Sequence, residues 1–313
     1  MTALRAVIVG AGVIGRRQAG AVRALGDAVV AIADPDLPRA ERLAAEFGAA
    51  AYGDLAALPA GAADVAVIAS PSWAHHAQAV TLLGQGMDVL VEKPHRIPGQ
   101  APQALAEAIA SSGKRYFVGM TTRHWPGVRA AARAAAAGRL GRPLAYTDRI
   151  AYRLGPDDLA PWYFDPKTSG GGALLTNGVH AIDRARALLD SPLELRSSAL
   201  ATVLPGHQCE DSAQLTLQAR GGVPVTLGIL WSPYQPAGTG LQIDGTEGVA
   251  RVEMDGSWVV ATAAGEERGG AVSLDEPFRA QWQAFRDGEP GFGLDDLEPT
   301  LAMIEEIYRQ AAP

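Results

Sequence analysis

The chain carries one cysteine, Cys209, so no internal disulfide can brace it, and a reducing cytoplasmic setting is the expectation. No basic leader with an apolar core precedes the first strand-like run, which fits the same expectation. Long apolar runs are missing as well. Candidates such as Val65 to Ala69, bounded by Asp64 and Ser70, fall far short of the roughly 20 residues that a spanning helix needs, so no membrane segment is expected. Positive charge is in deficit: 27 Lys and Arg against 34 Asp and Glu give a net charge of −7 and a pI near 5.4. A nucleic-acid backbone would be repelled unless cations clustered strongly, and near the glycine turn described below the basic pair is just Arg16-Arg17. There is no repeat, low-complexity tail or linker. Nor is there a Ser-His-Asp motif, a metal-spaced His/Cys cluster or a Gly-Lys-Ser/Thr phosphate loop, so no metal site is expected.

What is present is apolar material for two cores, with 313 residues of which 48% are hydrophobic and 19% charged. The run Ala6-Val7-Ile8-Val9 ends in Gly10-x-Gly12-x-x-Gly15, with Val13 and Ile14 inside the motif and Asp34 nineteen residues beyond its last glycine. That is the layout of a dinucleotide site. Gly10 permits a tight turn, Gly12 lets the backbone approach a pyrophosphate, and Gly15 lets the next helix lie close to the sheet with its free amides toward the phosphates. An ordinary strand-to-helix turn is the plainer alternative.

Over the first 120 residues, short apolar runs alternate with amphipathic Ala-rich stretches, the pattern of parallel strands joined by crossover helices. Strands are expected near Ala6–Val9, Ala28–Ala33, Ala49–Tyr52, Val65–Ala69, Val89–Val91 and Arg115–Val118, with helices ending at Gly26, Gly48, Gly86 and Gly113. After Arg123 the texture changes. A helix near Val128–Ala137 leads to alternating runs such as Gln214–Gln218 and Val223–Leu227, the signature of an antiparallel sheet. Helices are expected at Leu174–Leu189 and Leu297–Gln310. The reading is an α/β chain with a doubly wound Rossmann domain at 1–121. An α+β domain with a large, mostly antiparallel sheet follows at 122–313, and the helix 297–310 docks back on a domain, the first being the candidate.

Three further motifs follow the glycine turn. Glu92-Lys93-Pro94 closes the fifth expected strand, seventeen residues after His75 in Ser70-Pro71-Ser72-Trp73-Ala74-His75. Gly170-Gly171-Gly172 leads into Ala173-Leu174-Leu175-Thr176-Asn177-Gly178-Val179-His180-Ala181-Ile182-Asp183, and Gly245-Thr246-Glu247-Gly248 comes late. In this order and spacing they resemble the glucose-fructose oxidoreductase/inositol dehydrogenase (Gfo/Idh/MocA) family over essentially the whole chain. The resemblance implies an NAD(P)-dependent dehydrogenase or reductase acting on a sugar or polyol. It also implies a homodimer or homotetramer formed through the second sheet.

The residues make chemical sense on their own. Ligands of open parallel sheets bind at the strands' carboxyl ends, where Lys93 could hydrogen-bond a substrate hydroxyl or carbonyl; a surface lysine is the alternative. Glu92 reads as a positioning group. Histidine titrates near neutrality, so His180 is the candidate base, against the alternative of a core histidine. On an α-helix Thr176, His180 and Asp183 share a face, and Asp183 could orient the imidazole. In the family an aspartate commonly stands where this chain has Thr176, so the catalytic set reduces to Lys93 and His180, with Thr176 and Asn177 as hydrogen-bonding partners. His95 also departs from the family's small or apolar residue.

The cofactor-binding candidates are Gly10, Gly12, Val13, Ile14, Gly15, Asp34, Ser70, Pro71, His75, Glu92 and Lys93. Asp34 would accept hydrogen bonds from the adenosine ribose and repel a 2′-phosphate, favouring NAD; Arg16 and Arg39 keep NADP open. The substrate-binding candidates are Lys93, Arg123, Tyr152, Trp162, Asn177 and His180, lining a pocket expected between the halves. Tyr163 and Lys167 have the Tyr-x-x-x-Lys spacing of short-chain dehydrogenases, but Asp165-Pro166 between them disfavours the helix that pair requires. Two other readings stay open: an NAD-retaining glycoside lyase or hydrolase using transient oxidation, and a non-catalytic NAD-binding sensor.

Overall fold

Six short apolar runs become one parallel sheet: β1 (Arg5–Val9), β2 (Ala28–Ala33), β3 (Ala50–Tyr52), β4 (Val65–Ile68), β5 (Asp88–Glu92) and β6 (Tyr116–Gly119). Ala6 to Val9 and Val65 to Ile68 are buried at every position, because helices cover both faces of such a sheet; hence their continuous rather than alternating hydrophobicity. The strand order is β3-β2-β1-β4-β5-β6, joined through α1 (Val13–Ala24), α2 (Leu37–Phe47), α3 (Ser72–Gly84) and α4 (Gln103–Ser112). The order reverses between β1 and β4. Helix starts are set locally, as where the Asp36 side chain accepts the Arg39 N–H at the head of α2.

The computed structural model describes residues 2–154, 158, 160–234 and 240–311, and the chain divides into two units, Met1–Thr121 with Leu274–Glu298 and Thr122–Ser273 with Pro299–Pro313. The return of 274–298 to the first unit is a correction to the single boundary after 121, since the sequence reading assigns the return to 297–310 instead. The returning helix, Glu276–Asp287, buries Phe278, Trp282 and Phe285. Trp282 Nε1 donates to Asp27 Oδ2 at 2.7 Å, and Phe285 and Phe292 pack on Phe117. Spacings of four and three residues put those aromatic side chains on one helical face, a signal present in the sequence and passed over.

The second unit is built on β7 (Pro143–Arg153), β8 (Leu193–Ala201), β9 (Ser212–Ala219), β10 (Val223–Ser232), β11 (Gly240–Gly245), β12 (Gly248–Glu253), β13 (Trp258–Thr262) and β14 (Gly265–Gly269). Their order is β14-β13-β12-β11-β7-β10-β9-β8, antiparallel throughout except for the parallel pair β7 and β10. Alternation builds the buried face: Ala213, Leu215, Leu217 and Ala219 on β9 stand beside Val225, Leu227, Ile229 and Trp231 on β10. The helices of this unit are α5 (Pro126–Ala136), the short α6 (Pro166–Ser169) and α7 (Val179–Leu189); α8 is the returning helix Glu276–Asp287, and α9 (Leu294–Ala311) starts in the first unit and continues in the second. Helix α7 is pinned to β7 by a buried ion pair in which Arg184 Nε and Nη2 donate to Asp148 Oδ2 at 3.0 and 2.7 Å. Among the described residues no helix is long and apolar enough to cross a membrane.

Candidate active site

In the first unit, strand β1 ends at the switch in strand order, where ligands of doubly wound sheets bind. Gly10 has φ +100°, and a Cβ there would lie 2.6 Å from Ala69 O; a Cβ on Gly15 would overlap Gly10 O. Both glycines are demanded by the protein's own packing. Gly12 is different: its φ of −80° and ψ of −169° suit any residue, and a Cβ would meet nothing within 4 Å. No protein atom there blocks the approach of a ligand to the backbone. It lies at the head of α1, where no side chain caps the helix and no acid stands in the first turn, so the free amides and the helix dipole favour an anion. Val13 and Ile14 are exposed beside it. These features fit a dinucleotide diphosphate.

Asp34 is buried at the end of β2 and does double duty. Its Oδ2 accepts the Ala11 N–H at 2.8 Å and its Oδ1 the Asp36 N–H at 2.9 Å, so it braces the glycine turn, a task that local pattern did not reveal. Each oxygen has a second lone pair with which to accept a ribose hydroxyl. A cleft of about 370 Å³ opens beside it, lined by Val9, Gly53, Leu55, Gln78 and Thr81. Both arginines that kept NADP open are paired with acids: Arg16 with Glu46 at 2.6 Å and Arg39 with Asp36 at 3.2 Å.

Ser70 Oγ donates to Gln78 Oε1 at 2.5 Å, and Pro71 stands at the N-cap position of α3, with no capping bond from its side chain. His75 is buried, with Nδ1 2.7 Å from Pro94 O and Nε2 2.7 Å from Ser70 O. It ties the end of β4 to the corner after Lys93. The Lys93–Pro94 peptide is cis. Burial lowers the Lys93 pKa, an effect opposed by the adjacent Glu92. Glu92, whose carboxyl is pushed up by burial, accepts Gln18 Nε2 at 2.6 Å. His95 Nε2 lies 3.0 Å from Glu298 Oε2, and Arg96 pairs with the same carboxylate.

In the second unit the glycine-rich motif opens a π-helical turn, Leu174–Gly178, that runs straight into α7. Thr176 and Asn177 sit in the wide turn and His180 in the α-helix, so the α-helical spacing behind the shared-face expectation does not apply to Thr176. His180 is buried, with Nδ1 3.2 Å from Thr122 Oγ1. The expected orienting group, Asp183, serves elsewhere: fully buried, it is held by Arg123, whose Nε donates to Oδ2 at 2.6 Å, because a buried carboxylate needs a cation and Arg123 supplies one. Thr122 was missed, lying 58 residues away in sequence. Asn177 Oδ1 accepts Trp231 Nε1 at 2.6 Å, and Phe164 meets Trp231 edge-on. Trp162 stacks on Tyr163 with ring centroids 3.8 Å apart, and Tyr152 is half-buried on β7. Tyr163 and Lys167 lie in separate short helices divided at Asp165, which removes the short-chain dehydrogenase arrangement.

Comparison with known proteins adds to this geometry. Residues 4–120 match the profile described as "Oxidoreductase family, NAD-binding Rossmann fold", and residues 128–251 match "GFO/IDH/MocA C-terminal domain". Inositol 2-dehydrogenase 4 of Saccharopolyspora erythraea is 30% identical over 91% of this chain and 83% of its own length. The chain belongs to the GFO/IDH/MocA oxidoreductase family. It is 28% identical to the 1,5-anhydro-D-fructose reductase of Ensifer adhaerens, over 77% of this chain and 73% of that protein. Levoglucosan dehydrogenase, crystallised with NADH and levoglucosan, superposes with a TM-score of 0.87 at 19% identity, covering 99% of this chain and 97% of the other, and so shares the fold.

As a GFO/IDH/MocA oxidoreductase the protein takes NAD as cofactor, in agreement with the space left at Gly12 and the acid at Asp34. The late Gly245-Thr246-Glu247-Gly248 motif is a tight turn between β11 and β12, where the Arg142 N–H donates to Thr246 Oγ1 at 3.0 Å.

Proposed function

We propose that this oxidoreductase transfers two electrons between NAD and a secondary or anomeric hydroxyl of a sugar or polyol, or runs the reverse reduction of the carbonyl. The observation that carries the reading is the setting of His180: buried at the head of α7 behind a π-turn, with one ring nitrogen bonded to Thr122. Inositol dehydrogenase and anhydrofructose reductase among the relatives supply the substrate class. Bound NAD supplies the two-electron acceptor. Gly10, Gly12, Val13, Ile14 and Gly15 would hold its diphosphate, Asp34 its adenosine ribose, and the Ser70, Pro71, His75 and Glu92 corner the remainder. Each of the other tasks falls to side chains. With Nδ1–H donating a hydrogen bond to Thr122 Oγ1, the His180 tautomer would carry its lone pair on Nε2, the atom that takes the substrate's hydroxyl proton, a contribution of about 10²–10⁴-fold. Lys93 would supply a hydrogen-bond donor to a substrate hydroxyl or carbonyl oxygen and stabilise charge developing on it. Thr176 and Asn177 orient the substrate through hydrogen bonds, and Arg123, Tyr152 and Trp162 complete its recognition.

The test is NAD and NADP reduction against inositols, aldoses, methyl glucosides and levoglucosan, with His180→Ala and Lys93→Ala in parallel. Turnover of one panel member, lost in both variants while NADH binding persists, is the expected result. Activity that survives in both variants refutes the roles, and glycoside cleavage without accumulating NADH replaces the reaction.

A further inference from the structure

A π-turn is a strained insertion, since one residue more than an α-helix would use is squeezed between fixed points. Downstream, the Arg184 and Asp148 pair fixes α7. Upstream, the restraint comes from two residues remote in sequence. Glu210 is buried and lies just before β9. Its carboxylate accepts the Gly172 N–H at 2.9 Å to each oxygen and the Leu174 N–H at 2.9 Å, while its carbonyl accepts the Ala173 N–H at 2.8 Å. Tyr308, on α9, donates its hydroxyl to Glu210 Oε1 at 2.8 Å. Two of the three glycines follow from this packing: a Cβ on Gly171 would overlap the Tyr308 hydroxyl, and one on Gly172 would overlap Glu210 O. In mid-turn, Trp231 grips Asn177.

We propose that Glu210 and Tyr308 are positioning residues of the reaction, a clamp that keeps the extra residue in the Leu174–Gly178 turn and thereby fixes the direction of the His180 ring. The proposal rests on the reading of His180 as the base. Relaxation of a π-turn to α-helical bonding advances everything after it by one residue, about 100° around the axis, unless that part is held. With the downstream end held by Arg184, slack from a loosened clamp is taken up between residues 172 and 184, the stretch that carries Thr176, Asn177 and His180. The Thr122 contact at 3.2 Å leaves little room for such a change. A misplacement of about 1 Å at a reacting group can cost up to about 10²-fold in rate.

The experiment compares Tyr308→Phe, Glu210→Gln and His180→Ala with the parent in the full-length protein. It measures thermal melting, NADH affinity, kcat and KM for myo-inositol, and the His180 imidazole titration and tautomer by NMR. Tyr308→Phe removes one hydroxyl and is expected to fold, to bind NADH as the parent does, and to lose roughly tenfold in kcat with little change in KM. The His180 titration should move, which a brace serving stability alone would not cause. Glu210→Gln, which turns a donor toward the Gly172 amide, should lose more. If Tyr308→Phe keeps the parent's His180 titration and kcat while His180→Ala is inactive, the clamp is refuted and the base stands. If His180→Ala is as active as the parent, it is the base reading that fails. Should Glu210→Gln not fold, or myo-inositol not be turned over, the titration in Tyr308→Phe decides alone.

Discussion

Gly12 and Gly15 belong to one motif, yet the structure gives them opposite reasons for being glycine, and alanine at each separates those reasons. A Cβ on Gly15 would overlap Gly10 O, and Gly10 cannot retreat without losing its N–H bond to Ala33 O at 2.8 Å. Gly15→Ala should therefore destabilise the fold by several kcal/mol, in the range of severe overpacking. At Gly12 the backbone is relaxed and the space empty. There alanine loses some quality as a helix N-cap and gains through a less flexible unfolded chain, terms of up to about 1 kcal/mol each and of opposite sign, so stability should change by less than about 1 kcal/mol. Binding should not be spared. The methyl group occupies the approach of the diphosphate to the α1 amides, and losing one hydrogen bond to a charged group costs about 1.5–3 kcal/mol, or roughly 10- to 150-fold in Kd for NADH. Fluorescence titration of NADH together with thermal melting reads both quantities. Parental NADH affinity in Gly12→Ala, or parental melting in Gly15→Ala, would refute the assignment of the two glycines.

Other outcomes follow from the same contacts. Thr122→Ala removes the partner of His180 Nδ1 and should lower kcat by about 10-fold or more with NADH affinity unchanged; steady-state kinetics and titration check it. Burial would raise the Glu298 pKa, but hydrogen bonds from His95 and Arg96 outweigh that and hold the carboxyl down to about 2 from an ordinary 4.5. A depressed carboxylate contributes stability that is complete above its ordinary pKa and lost as pH falls toward the folded value. About 3 kcal/mol should thus disappear between pH 4.5 and 2, a slope absent from Glu298→Gln in urea unfolding followed by circular dichroism at stepped pH. Asp148→Asn strips the buried Arg184 of its counter-charge and should cost about 3–5 kcal/mol, measurable as lost amide protection in β7 and α7. An Asp148→Asn protein as protected as the parent would contradict the anchoring role of that pair.

Much of the architecture was legible because it depends on local pattern. The runs at Ala6–Val9 and Val65–Ile68 are apolar without interruption because helices cover both faces, and β9 and β10 alternate because one face is buried. The helix at 276–287 was legible in principle from Phe278, Trp282 and Phe285, spaced for one helical face ahead of Gly288. The π-turn was not legible: Thr176 and His180 have unremarkable α-helical spacing, and the groups bonded to the turn and its entry, Glu210 and Trp231, are not adjacent to it in sequence.

Candidate groups could thus be named from sequence, since a glycine turn, an acid nineteen residues on, a Glu-Lys-Pro corner and a histidine helix are each short-range features of fixed spacing. Their partners could not. Folding alone assigned Asp183 to Arg123 rather than to His180, gave Thr122 the imidazole, and set His75 between two carbonyls. The physical reason is that a buried polar atom must be satisfied by whatever neighbour the packing brings to it, and those neighbours come from segments whose separation along the chain follows no periodicity.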